Sequence, residues 1–399
     1  MASGGRKIKV LFLASWYPSR LNKFEGLFVK KHALAASMTA DVSLLYVALD
    51  RELKEKYEIC AETEDGILTV RVFFSKPKSR LPYFSFLFNI FRYAGSIRKG
   101  LKEIKERKGR PDIVQLNVAS RLGLAAVFLK IFKKIPYIIV EHASTYIKFK
   151  NLDEYQEKVP LMERLILSLN YRYAAAAAGV SSFLVRGILK TQKFKKDIFV
   201  VPNVVDIPGI PEERKINSSG LKFLTIALLN KDKNIQGLID AFSLAVKRHP
   251  DAELHIIGDG VEKQNLESQA AGLELLNKSI FLHGSVPNKD LDKYFFQSDI
   301  FILPSKYETF SVVTAEALAH GLPVIITRCG GPEDFVGEDQ GLRVDGFDEK
   351  SIAEAIEQMF TKWQDYDPSF LNKYAQERFS IGAVSEKLAG IYQKVLTDK

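Results

Sequence analysis

Two glutamates, Glu308 and Glu316, stand eight positions apart in the segment 303–325, LPSKYETFSVVTAEALAHGLPVI. Pro304 and the Ser-Lys-Tyr behind it end a strand. Ser311 is placed to cap the helix that follows, because a serine hydroxyl accepts a backbone N–H at that position. The helix stops at His320-Gly321, with Pro323 just beyond. Glu308 then belongs to the loop ahead of the helix and Glu316 lies well inside it. At a rise of about 1.5 Å per residue the two are up to ~12 Å apart. Carboxyls that share acid–base work on one bond sit within roughly 5–9.5 Å, so this pair suits the two ends of an extended ligand, such as a sugar and a ribose joined through a diphosphate. The backbone N–H groups near Thr309, Phe310 and Ser311 fall at the helix N-terminus, where free donors and the helix dipole stabilise a diphosphate. Taken singly, each glutamate reads as a solvated surface carboxylate; their setting in one strand–loop–helix segment favours a site.

Elements that must position this segment follow from the apolar pattern. Short apolar runs at 8–14, 41–47, 67–74, 113–117 and 137–140 read as buried parallel strands, with helices between them at 26–37 and 121–133. A last strand at 198–201 is stopped by Pro202-Asn203 and leads into a Pro- and Ser-rich linker at 204–220. The pattern then restarts, with strands at 223–228, 252–258, 280–283, 300–303 and 323–327 and helices at 235–248, 261–272 and 311–320. Strand–helix alternation predicts an α/β chain of two Rossmann-like, doubly wound domains, 1–204 and 205–380. A final helix near 382–396 is expected to cross back, so that 381–399 belongs with the first domain. Such sheets bind ligands outside the carboxyl ends of their strands, and two of them are expected to face each other across a cleft.

Composition narrows the classes. The 399 residues carry a net charge of +9, unevenly spread: residues 1–205 hold 36 Lys+Arg against 18 Asp+Glu, and residues 206–399 hold 21 against 30. Cys60 and Cys329 are the only cysteines, which excludes a disulfide framework or a cysteine-rich zinc site and fits a reducing, cytoplasmic setting. No secretory signal opens the chain and no apolar run reaches the roughly 18–20 residues of a membrane span. Residues 80–110 hold nine Lys+Arg against two Asp+Glu, with aromatics crowded at 83–93. They read either as a segment lying on an anionic membrane surface or as a core helix with a solvated charge run. Nucleic acid is disfavoured, since no binding module accompanies the charge. Gly258-Asp259-Gly260 lacks the third glycine of a dinucleotide fingerprint. No metal-ligand cluster and no Ser-His-Asp arrangement is readable. His255 and His283 lie in strands and read as structural; His32 and His249 read as solvated.

The run E-T-F-S-V-V-T-A-E-A-L-A-H-G-L-P-V-I resembles the E-x7-E signature of the retaining glycosyltransferases of family 4, which have the GT-B fold. Other segments agree in order: Glu141-His142 after the fifth strand, Val180-Ser181 before a helix, Val201-Pro202-Asn203 at the close of the first domain, Lys233-Asn234 ahead of a helix, and Gly330-Gly331-Pro332-Glu333 after the main motif. The resemblance implies that Glu308 approaches the donor sugar hydroxyls and Glu316 the ribose. It implies that Lys233 neutralises the diphosphate, that His142 touches the sugar, that Asn203 lies at the donor, and that Gly284 lies where the backbone reads the nucleobase. The loop at 16–26, with Tyr17 and Gly26, is implied to lie over the diphosphate or the acceptor. The family's second diphosphate cation, an arginine five residues before the lysine, is here Leu228. Lys231 is the nearest substitute, a point charge and not a bidentate fork.

These readings together imply an enzyme without metal or cofactor. It would move a sugar from a UDP- or GDP-linked donor to a glycan or lipid-linked acceptor, in the cytoplasm or on the inner membrane face, for a bacterial-type surface polysaccharide or glycolipid. The alternatives are a non-catalytic nucleotide-sugar-binding or scaffold protein, for which Leu228 speaks, and a sugar phosphorylase.

Overall fold

The computed structural model describes residues 6–76, 82–143, 146, 152–210 and 220–398, without the side chains of 82–87, 152 and 155. In chain order the first elements are β1 (Lys9–Ala14), α1 (Leu27–Ser37), β2 (Asp41–Asp50), β3 (Tyr57–Glu64), β4 (Ile67–Ser75), α2 (Pro82–Lys108), β5 (Ile113–Asn117), α3 (Gly123–Lys133) and β6 (Tyr137–Glu141). Next come α4 (Leu152–Lys158), α5 (Leu161–Tyr173), β7 (Ala176–Gly179), α6 (Ser182–Gln192), β8 (Ile198–Val200), β9 (Lys222–Ile226), α7 (Ile235–Val246), β10 (Glu253–Ile257), α8 (Lys263–Gly272) and β11 (Ile280–Gly284). The chain closes with α9 (Asp292–Gln297), β12 (Ile300–Leu303), α10 (Val312–Ala319), β13 (Val324–Thr327), β14 (Gly341–Val344), α11 (Glu349–Lys362), α12 (Pro368–Phe379) and α13 (Ile381–Thr397). Two compact units result, Met1–Val204 with Ile381–Lys399, and Val205–Ser380. Of the expected linker, 211–219 lie outside the described residues.

The first unit is an eight-stranded sheet in the order β3-β4-β2-β1-β5-β6-β7-β8. Its strands are parallel except β3, which runs antiparallel to β4. Central strands such as Phe12-Leu13 and Ile138-Ile139 are buried on both faces, as parallel strands with helices on either side must be. One face is covered by α1 and α13, where Val29, Ala33, Val384 and Leu388 pack with Phe12 and Ile138. On the other face Gly100 of α2 sits so close to β2 that a Cβ there would lie 2.3 Å from Leu45, and Tyr137 of β6 donates its hydroxyl to the Asn170 carbonyl of α5 (2.5 Å). A buried polar chain ties α13 to the sheet: the Tyr392 hydroxyl donates to Gln115 Oε1 (2.5 Å) and Gln115 Nε2 to Asn117 Oδ1 (2.9 Å).

The second unit is a six-stranded, fully parallel sheet, β11-β10-β9-β12-β13-β14. Ile235, Leu238, Ile239 and Phe242 recur at helical spacing on α7 and pack with Phe223, Ile256, Ile302 and Met359. From β9 the chain builds outward to β10 and β11; from β12 it builds the other way to β13 and β14. The direction reverses between β9 and β12, so a crevice opens at their carboxyl ends. In the first unit the reversal lies between β1 and β5.

Candidate functional site

Three loops leave the carboxyl ends of β9, β12 and β13, and each is bonded to the next. Lys306 N–H donates to the Asp232 carbonyl (2.7 Å), Glu308 N–H to that of Cys329 (2.8 Å), and Gly331 N–H to that of Glu308 (2.9 Å). A Cβ on Gly331 would lie 2.2 Å from the Thr309 carbonyl oxygen, so this close approach needs glycine. On the first loop Lys231–Lys233 form a short 3-10 turn, held by the Asn230 side chain, which accepts the N–H groups of Asp232 and Lys233. The outcome is an ion pair across the β9/β12 crevice: Lys233 Nζ stands 2.6 Å from Glu308 Oε1, the side chains 23% and 12% exposed.

Around this pair the remaining candidates fall into place unevenly. Thr309 is half-buried beside Glu308. The Phe310 ring is core, packed on Phe335 (5.1 Å) and Phe379 (5.5 Å), so only its backbone is free to meet a ligand. Ser311 occupies the N-cap of α10, as expected, but it caps no backbone N–H. Its backbone is left-handed (φ 64°), and its hydroxyl meets that of Thr314 (2.8 Å) instead. Glu316 is half-buried on α10, and its carbonyl accepts from His320 Nδ1 (2.7 Å). Lys231 is exposed, and so is Leu228, at 63%. Gly284 ends β11 with φ 68°, two strands from β9, which is about 10 Å along the sheet edge. Burial first, and then the Glu308 charge, push the pKa of the Cys329 thiol up.

In the first unit, His142 follows β6 directly and is buried. Its ring lies 4.5 Å from that of Phe28 and 5.0 Å, edge-on, from that of His32. Among the described residues neither ring nitrogen makes a well-formed hydrogen bond, and the buried Asn203 side chain lies beside the ring. Burial first, then the neighbouring His32, holds its pKa well below the usual imidazole value, so the ring is neutral. Two residues here escaped the sequence reading. His32, expected in solvent, is fully buried on the inner side of α1. Its Nε2 lies 3.0 Å from the Pro202 carbonyl, and burial pushes its pKa down to about 4. The amphipathic pattern of 26–37 was the available signal, since position 32 lies with Val29, Ala33 and Ala36 on the buried side. Glu141, quoted only as a neighbour of His142, accepts the N–H groups of Ala119 (3.1 Å), His142 (3.1 Å) and Ala143 (3.0 Å). Burial pushes its pKa up to about 7. Val118, at the end of β5, is β-branched with φ 65°, a strained conformation. It is pinned by its N–H to the Val140 carbonyl (3.0 Å) and by Ser15 Oγ to its own carbonyl (2.9 Å).

The loop at 16–26 needs a correction as well. Tyr17 is not presented to a ligand: it is 1% exposed, with the Arg71 guanidinium 5.3 Å from its ring and the Tyr46 ring at 6.4 Å. Its apolar ring is the part that burial against the sheet rewards. Gly26 holds φ 68° ahead of α1, where a Cβ would lie 2.3 Å from the Trp16 carbonyl oxygen. His249 is likewise not solvated; it stacks on Phe360 at 3.6 Å. Within 80–110, residues 80–81 and the side chains of 82–87 lie outside the described residues. Farther along α2, Phe88 and Phe91 are exposed while Ser96 and Ile104 are core. Among the described residues no group of three or more His, Cys, Asp or Glu is placed to hold a metal ion. None of the described helices is long and apolar enough to cross a membrane.

Comparison with known proteins accounts for both units. A family model described as glycosyl transferases group 1 matches residues 206–378, and one described as glycosyltransferase family 4 matches residues 32–207. TuaC of Bacillus subtilis (strain 168), a glycosyltransferase attributed to teichuronic acid biosynthesis, is 25% identical over 409 residues, covering 97% of this chain and 99% of that one. Sucrose-phosphate synthase from Thermosynechococcus elongatus superposes with a TM-score of 0.73 at 15% identity, covering 98% of this chain and 100% of that one. Anabaena HepE in complex with UDP and glucose superposes at 0.67 with 16% identity, covering 97% and 99%. At these identities the solved structures establish the fold, GT-B. With two family models together matching residues 32–378, the chain belongs to the group 1 glycosyltransferases of the family 4 type.

Proposed function

We propose that the chain is a retaining glycosyltransferase that moves a hexose from a UDP-linked donor to a hydroxyl of a glycan or lipid-linked acceptor, in the making of a surface polysaccharide or glycolipid. The observation that carries this reading is the Lys233–Glu308 pair across the β9/β12 crevice, beside the loop that opens α10. Lys233 and the N–H groups of 309–311 hold the diphosphate, Glu308 takes sugar hydroxyls, Glu316 the ribose hydroxyls, and the Gly284 backbone the base. Lys231 supplies the charge that Leu228 lacks. The diphosphate takes Lys233 from Glu308, and the carboxylate so released is free to accept from the sugar. In transfer, the bond from the anomeric carbon to the diphosphate oxygen breaks and a bond to the acceptor oxygen forms on the same face. The acceptor proton passes to the departing phosphate. Lysine and backbone donors meet the growing charge with little reorganisation, so no metal is required in this scheme.

The acceptor is assigned to the first unit, with the loop ending at Gly26; Asn203 is assigned to the donor and His142 to the sugar in transfer. End-to-end similarity to TuaC supports a polysaccharide acceptor. The excess of cations in residues 1–205 supports a peripheral place on the inner membrane face. Incubation with UDP-hexoses and glycan or lipid-linked acceptors, followed by release of UDP and by proton NMR of the new glycoside, tests the reading. Transfer with an unchanged anomeric configuration is expected. An inverted product, or release only when inorganic phosphate is supplied, overturns it. Exposed Leu228 in the place of a diphosphate cation is the observation that favours a non-catalytic binding protein, and absence of turnover with a bound donor would establish that reading instead.

A further inference from the structure

We propose that the outer face of α3 and α5 is a docking surface for an anionic lipid bilayer. The inference rests on the peripheral placement proposed above and not on the donor chemistry, and it moves the contact from 80–110 to two other helices. On α3, Leu124, Phe128 and Phe132 recur every four residues and are 41%, 48% and 66% exposed; on α5, Leu161, Met162 and Leu165 are 64%, 65% and 51% exposed. The inner sides of the same helices, with Ala126 and Leu129 or Leu167 and Tyr171, are buried. Each helix is therefore apolar on two sides, where a helix on a bare surface keeps one stripe. The two helices pack directly on one another. Asn170 of α5 donates Nδ2 to the Ser120 carbonyl (2.8 Å) just ahead of α3, and a Cβ on Gly123 would lie 2.4 Å from Asn170 Oδ1. Several large apolar side chains left exposed on neighbouring helices mark an interaction site.

Charge selects the occupant. Lys130, Lys133 and Lys134 close α3, and Arg172 closes α5. Lys196 rests on the carbonyls of Arg172 (3.2 Å) and Ala174 (2.5 Å), and burial first, then the nearby Lys130 charge, lower its proton affinity. An aromatic and aliphatic face with a cationic end matches the headgroup boundary of an anionic bilayer, tails taking the rings and phosphates the lysines.

Vesicle co-sedimentation tests this with the full chain. Vesicles of phosphatidylcholine alone are compared with vesicles containing about one third phosphatidylglycerol, at low and high salt. Wild type is expected to bind the anionic vesicles and release at high salt. Phe128→Gln with Phe132→Gln, Leu161→Gln with Met162→Gln, and Lys133→Glu with Lys134→Glu are each expected to weaken binding at least ~10-fold. Phe88→Gln with Phe91→Gln on α2 leaves it in place. All these positions are exposed, and thermal unfolding checks that each variant is folded. UDP binding by calorimetry stays unchanged throughout, which separates failure here from failure of the donor reading. No binding by wild type, equal binding to neutral vesicles, or loss only in the α2 pair overturns the proposal. So does self-association, seen by sedimentation velocity, that the α3 and α5 substitutions abolish while vesicles are ignored.

Discussion

Lys233 and Glu308 are each other's partner at 2.6 Å, and the two single substitutions are predicted to act in opposite directions on UDP binding. Lys233→Met removes a charged hydrogen bond to the diphosphate, worth about 1.5–3 kcal/mol; UDP is expected to bind roughly 10- to 150-fold more weakly. Glu308→Gln keeps the shape and removes the competitor for the lysine. Exposed ion pairs contribute about 0.2–1 kcal/mol, and breaking a buried one costs about 3–5 kcal/mol. With side chains 23% and 12% exposed, this pair falls between, so release of Lys233 is expected to tighten UDP by about 1 kcal/mol, or ~5-fold. Sugar transfer falls in both variants, since Glu308→Gln loses the carboxylate assigned to the sugar. Isothermal calorimetry with UDP, which carries no sugar, isolates the diphosphate effect, and thermal unfolding controls for the fold. If Glu308→Gln weakened UDP as much as Lys233→Met, the two residues would be acting through loop structure and the exchange of partners would be refuted.

Three further outcomes follow from the same geometry. Leu228→Arg places a fork-shaped cation in the loop after β9, where Leu228 is exposed, and UDP is expected to bind about 10-fold more tightly by calorimetry; weaker binding would show that the loop directs this position elsewhere. His32 has a folded-state pKa near 4, below the usual value, so the unfolded chain takes the proton first and stability is lost as pH falls from about 6.5 toward 4. Between pH 7 and pH 5 this amounts to about 2 kcal/mol. Glu141, raised to about 7, acts oppositely over this range, so the readout is the difference between wild type and His32→Gln in urea unfolding; a difference that ignores pH would contradict the buried neutral ring. Chelation by EDTA is expected to leave transfer from the UDP-sugar unchanged, and loss of activity restored by a divalent ion would refute a diphosphate held by lysine and backbone alone.

Strands 113–117 and 300–303 were legible to the residue, because runs such as IFIL between turn residues admit few other readings. β3 was not, since YEICAETE is a half-exposed edge strand whose charges hide its period. β7 was missed because AAAG carries no β-branched signal and is a strand only through its neighbours β6 and β8. At the site, residue types and spacing brought Glu308 and Glu316 forward, and the family resemblance added Lys233. That Lys233 and Glu308 bond to each other was invisible, because the contact joins loops 75 positions apart. Ser311 was placed correctly in the chain and wrongly in its hydrogen bond, since its left-handed backbone turns the hydroxyl toward Thr314, which residue type alone does not reveal. Tyr17 and His32 failed for one reason: a polar aromatic reads as available until the packing of its ring is known.

The central claim is a nucleotide site at the β9/β12 crevice with Glu316 on its ribose. Its most direct test is calorimetry of UDP, GDP, ADP and CMP against wild type and Glu316→Ala. The account predicts that UDP binds best and loses about 1.5–3 kcal/mol, or roughly 10- to 150-fold, in the variant. Equal affinity in the two proteins, or no nucleotide bound by wild type, would contradict it.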